Sequence, residues 1–149
     1  MTALTITSPA FKHNGLIPAK YTCDGADINP PLVIEHIPAG AKSLALIVDD
    51  PDAPRGTWVH WVVWNIAADT KKIDEDTVPP GAAQGMNDFR QREYGGPCPP
   101  SNTHRYFFKI YALDTRLTLG ENTNKLGLEK AMTGHILNQA ELTGLYQKK

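Results

Sequence analysis

The residues of this chain that could do chemistry fall in three short stretches. Asp49-Asp50-Pro51-Asp52-Ala53-Pro54 puts three carboxylates within four positions and stiffens them with two prolines. Proline fixes φ and removes an N–H donor. A carboxylate at the end of an apolar run is costly unless something meets it. His60 follows in Trp58-Val59-His60-Trp61. His104 then opens Thr103-His104-Arg105-Tyr106, directly after the loop Tyr94-Gly95-Gly96-Pro97-Cys98-Pro99-Pro100.

Three chemistries can be built from these residues. The first is a small anion pocket. Here one or two histidines and the glycine amides contact a phosphate or carboxylate, an aromatic ring packs beside it, and Asp50 orients a histidine or meets a ligand ammonium. The second is a metal site, because two His and one Asp can form a facial triad. Its signal is weak, since no His-x-His or His-Glu-x-x-His spacing occurs. The third is thiol catalysis by Cys98 with His104 as base, for which no third orienting partner is evident. Purely structural roles compete with each. Asp50 and Asp52 can cap a turn. His60 can be a hydrogen-bonded core residue, and Gly95-Gly96 can serve a turn that needs unusual dihedrals.

The elements that must position these groups read as short β segments. Twelve Gly and twelve Pro are spread along 149 residues, which favours strands and tight turns over a helix bundle. Ser43 to Val48 is almost continuously apolar, the pattern of a central strand covered on both faces. Trp58 to Ile66 predicts a second strand, with Trp58, His60, Val62 and Trp64 on one face by period-two alternation. His104 to Leu113 predicts a third, with His104, Tyr106, Phe108 and Ile110 on one face. Leu32-Val33-Ile34 predicts a short strand, and Ile136 to Tyr146 a longer one. Lys125 to Met132, after the cap Asn122-Thr123-Asn124 and before Gly134, predicts a helix. Asp69 to Arg92 reads as a long connection with little regular structure.

Composition narrows the classes. The length fits a single domain over residues 1–149. A net charge of −1 without a basic run argues against nucleic acid, and no stretch is apolar enough to span a membrane. The N-terminus lacks a basic region followed by an apolar core, so the default compartment is the cytoplasm. There Cys23 and Cys98 are expected as free thiols; export would instead allow a disulfide. Two cysteines cannot form a four-ligand zinc site alone.

Taken together, the motifs resemble the phosphatidylethanolamine-binding protein family, also called the Raf kinase inhibitor protein family, in its bacterial and archaeal branch. The matching pieces run in order: Tyr21-Thr22-Cys23-Asp24-Gly25, Asn29-Pro30-Pro31-Leu32, Lys42 to Val48, Asp50-Pro51-Asp52-Ala53-Pro54, Trp58 to Val63, Gly95 to Pro100, Thr103 to Tyr106 and Gly134-His135. The resemblance implies a mostly β fold, a sandwich of a large central sheet and a smaller one with few short helices. It implies a pocket at one end of the large sheet for phosphate, acetate or phosphorylethanolamine-like anions. Its walls would be Asp50, Asp52, Trp58, His60, Gly96, Pro97, His104 and Tyr106. The reading is therefore of a non-enzymatic binder of a small anionic ligand, with no cofactor, no metal and no catalytic residue, in a chain that could form a homodimer. The rival reading is a protein-interaction module that inhibits a kinase or protease, with Arg90 and Glu93 near the pocket loop as rim residues.

Overall fold

The computed structural model describes residues 3–148. In chain order its elements are β1 (Thr5–Thr7), β2 (Gly15–Leu16), β3 (Leu32–Glu35), β4 (Ser43–Asp50), β5 (Trp58–Ile66), β6 (Lys72–Ile73), β7 (Ala83–Gln84), β8 (His104–Leu113), α1 (Lys125–Met132) and β9 (Ile136–Tyr146). A six-stranded sheet runs β2-β9-β8-β4-β5-β7, and a three-stranded sheet runs β1-β3-β6. All pairings are antiparallel except β2 with β9. The fold is thus mostly β, as expected. The 69–92 connection carries only the two-residue strands β6 and β7.

The apolar run Ser43–Val48 becomes the central strand β4, buried at every position. It extends two residues further than its apolar run, so Asp49 and Asp50 are inside the strand, opposite Val59 and Trp58 of β5. One face of the large sheet, with Leu44, Leu46, Val48, Phe108 and Ile110, packs with Ile6, Ile34 and Ile73 of the small sheet. The other face, with Ala45, Ile47, Val62 and Trp64, is covered by Leu128 and Met132 of α1 and by Leu117. The Asn124 side chain caps α1 by accepting the Gly127 N–H at 3.0 Å.

The alternation expected for β5 does not hold along its length. Val48 faces Trp61, but the next residue, Asp49, faces Val59, so His60 is an extra residue in β5. This β-bulge resets the side-chain parity. Trp58 and His60 share a face, while Val62 and Trp64 turn to the helix-covered side. Trp61 and Val63 point instead toward the small sheet.

Asp49 leaves β4 on the helix side and is 1 % exposed. Lys109 of β8 and Lys125 at the start of α1 both donate to its Oδ2, at 3.0 and 2.8 Å. The pair of lysines compensates a charge that the sheet would otherwise bury alone. Replacing both with methionine is expected to lower unfolding free energy by about 3–5 kcal/mol, because the carboxylate loses all its countercharge. Urea denaturation measures the loss.

The expectation of free thiols is overturned. Cys23 and Cys98 form a disulfide across 75 positions. The loops are also joined by the Cys23 N–H donating to the Pro97 carbonyl at 3.1 Å. Their meeting is a consequence of tertiary folding, which spacing alone does not reveal, and it removes the thiol needed for catalysis by Cys98. A crosslink over this separation restricts the unfolded chain by about 4 kcal/mol on loop-closure grounds. The double variant Cys23→Ser, Cys98→Ser is expected to unfold at correspondingly lower denaturant, while dithiothreitol should not shift its midpoint further.

Candidate functional site

Antiparallel pairing brings the end of β4 and the starts of β5 and β8 together at one end of the large sheet. There a cavity of about 200 Å³ is lined by Asp50, Trp58, His60, His104 and Tyr106, with Ala53, Pro54, Phe89, Cys98, Pro99 and Pro100 closing it. A larger cleft of about 700 Å³ runs along β3 past Ile34, His36 and Ile37. That cleft brings together no comparable group of buried polar side chains, and the smaller cavity is the site of interest. Within it Asp50, His60, His104 and Tyr106 are 3, 3, 5 and 1 % exposed.

The two histidines are held differently. His104 Nδ1 lies 2.6 Å from Asp50 Oδ2. A carboxylate accepts, so Nδ1–H donates and Nε2 is left free. His60 Nδ1 lies 2.7 Å from the Gly95 carbonyl, which can only accept, so its proton too sits on Nδ1. Burial pushes His60 below its ordinary value of 6.5, and the Gly95 carbonyl and the Asp50 charge only partly oppose this. Tyr106 contacts both rings, at centroid distances of 5.3 Å from His60 and 6.4 Å from His104. Its hydroxyl makes no hydrogen bond of ordinary length, although it faces the Asp50 carboxylate closely enough to interact with it. Burial, reinforced by the Asp50 charge, pushes the phenol far up, so it remains a donor. At the mouth, Trp58 and Phe89 meet edge-on at 5.4 Å.

The glycine loop is a wall and not an anion nest. The Gly95 N–H donates to the His60 carbonyl at 3.0 Å. The Gly96 N–H donates to Asp27 Oδ1 at 2.8 Å. Neither glycine has positive φ. Gly96 is needed for close approach: a Cβ there would stand 2.4 Å from both Asp27 Oδ1 and the Tyr21 carbonyl oxygen. Gly96 and Pro97 therefore support the pocket from behind and do not line it.

Asp52 also stands outside the lining. It receives Arg105 Nε and Nη2 at 2.9 and 2.8 Å, and the Arg105 backbone N–H at 2.9 Å. Asp50 Oδ1 accepts the Asp52 N–H at 2.7 Å, which ties the Pro51 turn to the strand end. The fork of Arg105 holds the Asp52 carboxyl down to about 2 from 3.8. Its lowered value stabilises the fold above about pH 4, and that contribution disappears as pH falls toward 2. Asp52→Asn should thus lower the thermal midpoint at neutral pH and by much less at about pH 2, which a calorimetric scan at both pH values reads.

Sequence reasoning missed Phe89 and the residue that delivers it. Asn87 is buried, donates to the Glu93 carbonyl at 2.7 Å, and accepts the Phe89 and Gln91 N–H groups at 2.9 and 3.0 Å. An Asn opening Asn87-Asp88-Phe89 in a polar stretch is a turn signal, and the lone aromatic within it was the legible clue. Arg90 and Glu93 lie in this loop but do not line the cavity.

A two-sheet β protein with a buried His/Asp/Tyr cluster at the end of its large sheet has an architecture compatible with a binding-type role. The family model described as phosphatidylethanolamine-binding protein matches residues 7–147. The chain belongs to that family. It is 48 % identical to a UPF0098 protein of Methanothermobacter thermautotrophicus, over 97 % of this chain and 99 % of that one. It is 51 % identical to one of Pyrococcus horikoshii, over 95 % and 76 % of the two chains. The crystal structure of a phosphatidylethanolamine-binding protein homologue from Chlamydia trachomatis superposes with a TM-score of 0.96 at 43 % identity, covering both chains in full. Escherichia coli YbcL, described as a member of the mammalian family, superposes with a TM-score of 0.92 at 32 % identity, over 99 % of this chain and all of that one. No helix among the described residues is long and apolar enough to cross a membrane.

Proposed function

We propose that this protein is a non-enzymatic receptor for a small oxyanion, a phosphate, carboxylate or phosphorylated headgroup. The observation that carries this reading is the buried cluster of His60, His104 and Tyr106 lining the cavity, in which both imidazole Nδ1 atoms are already committed. Buried polar atoms with incomplete hydrogen bonding cost free energy, and an oxyanion in the cavity would relieve part of that cost. An imidazolium at His104 would stand between the Asp50 carboxylate and the ligand, giving a second, charge-assisted donor. The volume of about 200 Å³ suits an ion or headgroup better than a larger molecule. Trp58 and Phe89 at the mouth offer an apolar face to whatever extends outward.

The lining favours binding over catalysis. The Asp50–His104 pair resembles a base and its orienting group, but the lining residues supply no serine, threonine, lysine or free thiol to activate. Titration calorimetry with inorganic phosphate tests the reading. Tyr106→Phe and His104→Ala are each expected to weaken binding by roughly tenfold or more. Binding equal to wild type in both variants would count against the pocket.

A further inference from the structure

The disulfide sits where the glycine-proline loop loses its other restraints. Up to Pro97 that loop is tied to the 21–27 segment by hydrogen bonds. The Tyr94 hydroxyl donates to the Tyr21 carbonyl at 2.8 Å, the Gly96 N–H to Asp27 Oδ1 at 2.8 Å, and the Cys23 N–H to the Pro97 carbonyl at 3.1 Å. From His104 onward the chain is β8, paired with β9. Between these two fixed points, no described hydrogen bond reaches residues 98–102. Within that run only Pro99 is buried. Its tether to the rest of the protein is the bond from Cys98 to Cys23. Yet Cys98, Pro99 and Pro100 wall the cavity beside Trp58, His60 and His104.

The anchor at the other end holds without that bond. The Thr22 N–H donates to the Ala19 carbonyl and the Asp27 N–H to the Lys20 carbonyl, both at 3.0 Å, and Asp24 accepts the Tyr146 hydroxyl of β9. Both cysteines are exposed, so a thiolate in solution has access to them. We infer that the disulfide is a reversible latch on the pocket: closed, it fixes the 98–102 wall, and opened by a dithiol it lets that wall move and weakens ligand binding while the rest of the fold stays intact. In opening, one thiolate of the dithiol attacks a cysteine sulfur and the other cysteine leaves as a thiolate. The second thiol then displaces the first cysteine, so the dithiol ends as a disulfide and the protein has gained two electrons and two protons. A segment with few buried contacts is the kind that opens locally. A ligand must then order it again, which lowers affinity. The binding arm rests on the anion reading of the pocket; the movement of the wall does not.

Two measurements on the full chain test this, each with and without dithiothreitol. Nitrogen-15 relaxation reads the wall directly. The backbone order parameters of Cys98, Ser101 and Asn102 are expected to fall from about 0.85 to below about 0.6 on reduction, while those of β4 and β8 stay high. Calorimetry with inorganic phosphate reads the consequence. Reduced protein is expected to bind roughly tenfold more weakly than oxidised protein, and reoxidation should restore the affinity. The double variant Cys23→Ser, Cys98→Ser should bind like the reduced protein and be indifferent to dithiothreitol. Order parameters that do not change on reduction overturn the latch, and so does a dithiothreitol effect that persists in the double variant. Circular dichroism accompanies each state; loss of the β signal on reduction also overturns the proposal, because the bond would then be a staple of the whole fold. Equal phosphate affinity in both redox states overturns the control of binding and leaves the anion pocket standing. Phosphate binding in neither state overturns the anion reading itself, and the order parameters still decide whether the wall is latched.

Discussion

The site depends on one extra residue in β5. Two central strands in plain alternation would send His60 and Val62 to the same face. The bulge opposite Val48 and Asp49 separates them. It lets Val62 and Trp64 pack under α1 while His60 reaches the pocket beside Tyr106. A bulge of this kind re-aims a side chain at the cost of a locally broken ladder. Here part of that break is made good from outside the sheet, because the His60 carbonyl accepts the Gly95 N–H and the ring donates to the Gly95 carbonyl. The same glycine therefore satisfies the backbone of the bulge and sets the tautomer of its side chain. The Gly-Pro loop and the strand error are one device.

The two adjacent carboxylates of β4 show how a sheet handles charge that it cannot hydrate. Strand alternation sends Asp49 and Asp50 to opposite faces, and each is almost fully buried. On the helix side Asp49 meets two lysines, a permanent countercharge that makes the contact structural. On the pocket side Asp50 meets a histidine, a backbone amide and the nearby Tyr106 hydroxyl, and a histidine carries charge only when protonated. The same residue type thus gives a fixed ion pair on one face and a conditional one on the other. The conditional one is where chemistry can respond to a ligand.

Much of this was legible in the sequence. The continuous apolar run of β4 and the alternation of β8 gave both strands and the placement of His104 and Tyr106 on one face. The Asn124 cap gave the helix. What escaped had physical causes. The bulge at His60 depends on pairing with β4, and no period within β5 alone reports it. The disulfide joins loops that only the tertiary fold brings together. Gly95 and Gly96 suggested a nest because two glycines permit one; their amides are instead used by His60 and Asp27. Asp52 was expected in the pocket wall beside Asp50, but it sits beyond the strand end, where Arg105 captures it. Phe89 reaches the pocket through the turn around Asn87, a side-chain-to-backbone device that hydrophobic patterning does not register.

The walls of the pocket are built to stay in place. Pro51, Pro54, Pro97, Pro99 and Pro100 restrict its two loops, the disulfide joins one of them to the 21–27 segment, and Tyr94 anchors it by donating to the Tyr21 carbonyl at 2.8 Å. Rigid walls lower the ordering cost of binding but leave little scope for repacking around different ligands. Such a cavity discriminates less by adapting its shape than by which of its few polar atoms give a hydrogen and which take one. Two of those atoms, the imidazole nitrogens, are set by the Gly95 carbonyl and by Asp50, which hold the opposite side of each ring. The polarity of the cavity therefore depends as much on Gly95 and Asp50, which fix the imidazole protons, as on the rings that line it.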